Sequence, residues 1–294
     1  MKITPSTQTR TFLENIYRLR TRENQAHAEL ATGKSVNRLS DNPFAAAQAS
    51  RLTAVMAEND QFLAISQQLR GKLETTDSVL QALILRVDEA KTLAAQALSG
   101  TTTPESRAAL ATAIEGVRQE VLSASNTQFD GNFLFAGTET STTPFVESGG
   151  AVTYQGNDDP IYQRLDRSVV IQSNVTGQSL FIDSPSVFEV LEDLKTAVVN
   201  NDAAAIRSGF ADLETVSSRM NSTAAVVGNN IRLTEQLENA LRTHTQTLQE
   251  HVSNMTDANL AKSISDLNIT TQAISAALGA QAQVQQFSLL DFLR

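Results

Sequence analysis

"FLAISQQLRGKLETTDSVLQALILRVDEAKTLAAQAL" runs from Phe62 to Leu98. It sets Phe62, Leu69, Leu73, Leu80, Leu83, Val87, Ala90, Ala94 and Ala97 at steps of three and four residues, with Ser66 and Thr76 at the polar steps. That spacing keeps one helical stripe facing one partner over many turns, the pattern of a coiled coil. Leu52, Val55 and Asn59 carry the stripe back towards Asp41, read as the N-cap, and Pro43, whose missing N–H does no harm in a first turn. Ser99-Gly100 ends the run. At 1.5 Å per residue the helix is roughly 85 Å long. It reads as a rod.

The same beat returns further on. Ile206, Phe210, Leu213, Ser217, Met220, Ala224, Val227, Ile231, Thr234, Glu238, Leu241, Thr245, Leu248, Val252 and Met255 form a second rod. A shorter helix opens near Pro104-Glu105, and another follows Ser186 until Asn200-Asn201-Asp202. From Phe129 to Asp183 the period changes to short β-type runs, "FDGNFLFAGTETSTTPF", "AVTYQGN", "IYQRL" and "RSVVIQSNVTGQSLFID", separated by Gly and Asn turns. The predicted fold is mainly α with a small β-rich insertion (α+β), built on long antiparallel helical coiled-coil rods. Its expected divisions are 1–40 with 257–294 as a terminal helical segment, 41–128 with 184–256 as the helical bundle, and 129–183 as the insertion.

At the ends, Phe12, Ile16, Leu19, Ala26 and Leu30 make one stripe, interrupted by Glu23, with Gly33 as a left-handed cap. Leu260, Ile264, Leu267, Thr271, Ile274 and Leu278 make another, before the apolar close "QFSLLDFLR". Antiparallel rods bring these two helices side by side, yet a two-helix pair covers only part of each stripe. The ends should therefore be poorly ordered alone and ordered in an assembly of copies. The expected inter-subunit residues are Phe12, Ile16, Leu19, Leu30, Leu260, Ile264, Leu267, Ile274, Leu278, Phe287 and Leu290.

Composition removes several function classes. Hydrophobic residues make up 41%, but only 5% are aromatic and there is no Trp, which suits slender bundles more than a thick globule. A net charge of −9, from 23 basic and 32 acidic residues, gives no cationic field for nucleic acid or an acidic membrane. Without cysteine, disulfides, zinc-thiolate sites and thiol nucleophiles are excluded. The start "MKITPSTQTRTFLENIYRLR" has no continuous apolar core for a cleaved signal peptide, and no apolar run approaches the ~20 residues of a membrane span. Secretion would have to use another route.

The chemistry-bearing motifs are decoys. Gly33-Lys34-Ser35 ends like a phosphate-binding loop, but Ala28 stands where the first glycine belongs and a helix, not a strand, precedes it. The stretch "ATGKSVNRLSDNP" reads as a joint between helices. His244 and His251 lie about two turns apart, roughly 10 Å, too far to share a metal, and His27 sits in another helix. Asp158-Asp159-Pro160 reads as a turn, and Glu189, Glu192 and Asp193 as a solvated face. Of the Asn-x-Thr/Ser matches at Asn174, Asn221, Asn254 and Asn268, three fall in helices. No catalytic residue, cofactor, metal or small-molecule substrate is expected. A nucleotide-binding helical scaffold would have only Lys34 in its favour.

"LATGKSVNRLSDNPFAAAQASRL" resembles the N-terminal signature of the flagellin superfamily. "SNTQFDGNFLFAGTETSTTPF" followed by "VTYQGN", and the C-terminal "FSLLDFL", are similar to its hook-associated subgroup at the hook–filament junction. The resemblance implies a non-enzymatic structural protein of the bacterial flagellum, extracellular, exported unfolded by the flagellar type III apparatus with an export chaperone. It implies self-assembly into a ring of about eleven copies, between a neighbouring hook-associated protein on the hook side and flagellin on the filament side. The terminal helices would line the inner tube, the rods the middle shell and the insertion the outer surface. The alternative within the superfamily is flagellin itself. Phe133 to Phe145 with Tyr154-Gln155-Gly156 discriminates between them.

Overall fold

The computed structural model describes the backbone over residues 5–99 and 103–292, and side chains at residue 7 and over 9–99 and 103–283. Among the described residues there are six α-helices: α1 (Pro5–Thr32), α2 (Pro43–Ala97), α3 (Pro104–Ser125), α4 (Val187–Asn200), α5 (Ala203–Thr256) and α6 (Leu260–Phe292). Between α3 and α4 lie three two-stranded antiparallel pairs: β1 (Gln128–Phe129) with β2 (Asn132–Phe133), β3 (Phe145–Ser148) with β4 (Ala151–Tyr154), and β5 (Tyr162–Arg164) with β6 (Val170–Gln172). This is the mainly helical fold with a small β insertion that the periodicity predicts. The chain forms two compact units, Met1–Glu58 with Thr243–Arg294, and Asn59–Arg242.

In the Asn59–Arg242 unit the α2 stripe is buried at every step from Asn59 to Ala97 except Phe62, which is half-buried. Of its polar steps, Ser66 Oγ is buried without a hydrogen-bond partner, whereas Thr76 is satisfied within its own helix. Thr76 Oγ1 donates to its own Lys72 carbonyl at 2.9 Å, as Thr234 does to Asn230 at 2.8 Å in α5. Glu238 sits in the α5 stripe because Arg70 Nε donates to it at 3.0 Å from α2. Lys91, further along α2, lies over the Phe210 ring, earlier in α5, so the two helices run antiparallel here. Apolar side chains of α2, α3, α4 and α5 close one continuous core with Phe135, Phe145, Leu165 and Phe181 of the insertion.

That insertion has no core of its own. Phe145 and Phe181 pack edge to face with centroids 5.0 Å apart, and both meet Phe188 of α4. The two sequence motifs "LFAG" and "YQGN" interlock: Asn157 N–H donates to the Ala136 carbonyl and Asn157 Oδ1 accepts from Thr138 N–H. A Cβ at Gly156 would sit 2.6 Å from the Tyr154 ring and 2.7 Å from the Ala136 carbonyl, so only glycine fits. Gln178–Ile182, read from sequence as part of a β-type run, is a π-helical turn. Adjacent Leu180 and Phe181 are both buried, which a strand with side chains on alternating faces could not achieve against one core.

Ionic groups tie α3, β3 and α4 together. Arg118, with a side chain 5% exposed, donates Nη2 to Glu115 at 2.8 Å and also to Glu147, and Lys195 Nζ bridges Glu115 at 3.0 Å and Glu192 at 2.7 Å. Glu192 therefore belongs to an ion network, not to a merely solvated face. Hydrogen bonds from Arg118 hold the Glu115 carboxyl down to about 2, and bonds from the same guanidinium lower that of Glu147. Lys195 is raised, foremost by its bond to Glu192.

Candidate assembly surface

The Met1–Glu58 and Thr243–Arg294 unit is built on a hinge of backbone hydrogen bonds between the two linkers. Gly33 ends α1 in the left-handed region, φ 72°, and its N–H donates to the Glu29 carbonyl at 2.8 Å. Lys34 then pairs with Asp257 as an antiparallel bridge. Ser35 N–H donates to the Thr256 carbonyl at 2.7 Å, and Ala258 N–H to the Gly33 carbonyl at 2.9 Å. The Gly-Lys-Ser stretch is thus occupied in joining two helix ends, and its Lys34 backbone holds no open anion cradle. Asp41 folds the rest of the joint back: its Oδ2 accepts from Arg38 N–H at 2.7 Å and Asn37 N–H at 3.0 Å, and these bonds lower its pKa. The cap of α2 is consequently Asn42, not Asp41, with Oδ1 accepting from Ala45 N–H at 3.1 Å.

From this joint α1 and α6 pack against one another along their lengths. Ser263 Oγ donates to Glu29 at 2.7 Å and Lys34 meets Asp257, so the pair is antiparallel. Phe12, Ile16, Leu19 and Leu30 are half-buried on α1, with Ala26 fully buried. On α6 the buried positions are Ser263, Thr270 and Ile274, with Leu267 half-buried. The α6 stripe read from sequence is therefore rotated. Leu267 and Ile274 do belong to the covered face, while Leu260, Ile264, Thr271 and Leu278 are exposed. The covered face uses small hydroxyl residues, which let two helices approach closely and satisfy themselves: Thr270 Oγ1 donates to the Asp266 carbonyl at 2.6 Å.

What remains is an uncovered apolar surface on the same two helices. Leu13 is 59% and Tyr17 75% exposed on α1, while Ile264 is 51% exposed on α6, alongside Leu260, Ile269 and Leu278. Leu13, Tyr17 and Ile269 were not legible as surface anchors, because the stripe reading assigns one apolar face per helix. The signal was the i, i+4 pair Leu13–Tyr17 beside the Phe12–Ile16 pair. Of the eleven expected inter-subunit residues, the structure brings Phe12, Ile16, Leu19, Leu30, Leu267 and Ile274 onto covered or half-covered faces and leaves Leu260, Ile264 and Leu278 outside. The side chains of Phe287 and Leu290, like the others of the apolar close, lie outside the described residues, as does Gly100.

No group of three or more His, Asp or Glu side chains among the described residues is placed to hold a metal. His27, His244 and His251 are all exposed. Asn174 is buried and engaged, accepting from Ile161 N–H at 2.8 Å and donating to the Asp159 carbonyl at 3.1 Å. Asp158 accepts from the Thr176 hydroxyl. Among the described residues, no helix is long and apolar enough to cross a membrane.

Residues 6–140 match the family described as the bacterial flagellin N-terminal helical region. Over 221 residues the chain is 33% identical to flagellar hook-associated protein 3 of Escherichia coli (strain K12), covering 72% of this chain and 68% of that one. It is 25% identical over 291 residues to flagellar hook-associated protein 3 of Salmonella typhimurium, covering 90% of this chain and 91% of that one. The solved structure of a candidate flagellar hook-associated protein from Vibrio parahaemolyticus shares the fold, with a TM-score of 0.69 at 20% identity over 74% of this chain and 100% of that one. The chain belongs to the flagellar hook-associated protein 3 family.

Proposed function

We propose that this hook-associated structural protein of the bacterial flagellum joins hook to filament by self-assembly of its terminal helices. The observation that carries the proposal is the apolar surface left on α1 and α6, at Leu13, Tyr17, Leu260, Ile264, Ile269 and Leu278, after the two helices have packed together. Apolar area of that kind is costly in water and is covered at little cost by a second copy presenting the same helices.

Copies then close into a ring of about eleven, with residues 1–40 and 257–294 lining the inner tube, 41–128 and 184–256 forming a middle shell, and 129–183 facing outward. A neighbouring hook-associated protein contacts the hook side and flagellin the filament side. The chain reaches the cell exterior unfolded, through the flagellar export apparatus with a chaperone. Deletion of the gene followed by electron microscopy tests the reading. Cells should keep hooks, lack filaments and shed monomeric flagellin into the medium, and filaments on the deletion strain would refute the junction role.

A further inference from the structure

We propose that a pocket in the Asn59–Arg242 unit, between α2 and the turns of the β insertion, binds the carboxylate of an acidic sugar unit through Lys72. The cavity holds about 310 Å³, within the range of small-ligand sites. Ile65, Leu69, Phe129 and Ile161 line it with apolar surface. The Phe129 ring lies over α2 at Gly71, where a Cβ would be in van der Waals contact with it at 3.4 Å. Gln68, Lys72, Thr140 and Gln163 add polar groups to its lining. No hydrogen bond or ion pair joins the side chains of Gln68, Lys72, Thr140 or Gln163 to another group among the described residues; Lys72, Thr140 and Gln163 are half-buried and Gln68 is exposed. Lys72 is half-buried, its pKa is lowered by burial alone, and no carboxylate pairs with it. Asp130 also lines the pocket but is exposed and makes no ion pair with Lys72.

A half-buried ammonium without an anion is costly to hold and is relieved by a bound carboxylate. Two free amides and a hydroxyl beside it present paired donors and acceptors that match neighbouring sugar hydroxyls. The apolar wall takes the C–H face of the ring. Inorganic anions would satisfy only the charge, and a neutral sugar only the amides.

The test is titration of the full isotope-labelled chain with glucuronate, glucose, inorganic phosphate and a polyuronate chain, followed by backbone amide shifts. Glucuronate should shift the amides around Gln68, Lys72 and Gln163 saturably, with glucose and phosphate binding about tenfold or more weakly. Lys72→Met should abolish the response, and Gln163→Ala should weaken it, each with an unchanged circular dichroism spectrum. The same shifts with polyuronate would identify a chain unit as the ligand, and their absence there would identify a free sugar. No saturable shift with glucuronate, equal binding of glucose or phosphate, or binding undiminished in Lys72→Met would overturn the proposal. Should Lys72→Met not fold, Gln163→Ala and the glucose comparison still decide it.

Discussion

Ser263 Oγ donates to the Glu29 carboxylate at 2.7 Å across the α1–α6 seam. A hydroxyl fits there because the seam is narrow at this point and Ser263 is almost fully buried. Ser263→Leu should force the helices apart, destabilising the terminal unit by about 1–3 kcal/mol. Hydrogen exchange should show faster amides in α1 and α6, with those of the Asn59–Arg242 unit unchanged.

Leu13→Asp and Ile264→Asp place a charge on the uncovered face, not in the seam. Both variants should keep the helical content of the parent, because neither residue is buried within the chain. Assembly should fail, since an unpaired carboxylate buried between copies is strongly unfavourable. Motility assays and microscopy of complemented cells check this, and normal filaments would remove these residues from the interface.

The Arg118 network makes stability depend on acid. Glu115 is held at about 2 against an ordinary 4.5, so its contribution is complete above 4.5 and drains away as pH falls towards 2. Its side chain is 32% exposed, so the loss is discounted for solvent to the order of 2 kcal/mol. Urea midpoints should drop between about pH 6 and about pH 3. In Glu115→Gln that slope should shrink and the midpoint at the higher pH should already be lower.

Two glycines should respond in opposite directions. Gly156→Ala drives a Cβ into the Tyr154 ring and the Ala136 carbonyl, costing about 2–3 kcal/mol. Gly228 lies inside α5 with nothing within 4 Å of its Cβ position, so Gly228→Ala should gain about 0.5–1 kcal/mol. Chemical denaturation of both variants measures the contrast.

Where a seam is made of Leu, Val and Ala with a single Thr, as from Leu69 to Ala97, the three- and four-residue spacing picks out covered positions, and every one is buried. The α6 seam defeats the same reasoning because Ser263 and Thr270 face the partner helix while Leu260, Ile264 and Leu278 face away. Hydrophobicity marks which residues need cover, not whether the cover comes from the same chain. Asn42 and Asp41 are both competent caps, and only the backbone course of Asn37 and Arg38 decides that Asp41 folds back. The Lys72 pocket is assembled from α2 and turns far along the chain, so no local motif announces it.

The bond between Ser35 and the Thr256 carbonyl spans 221 positions, and this separation sets an order of events in synthesis. While the ribosome is still making the middle of the chain, α1 has nothing to lie against. The terminal unit can close only after α6 has been made, a long loop that is slow to form. The Asn59–Arg242 unit is under no such constraint, so the helix made first is among the last to find its place.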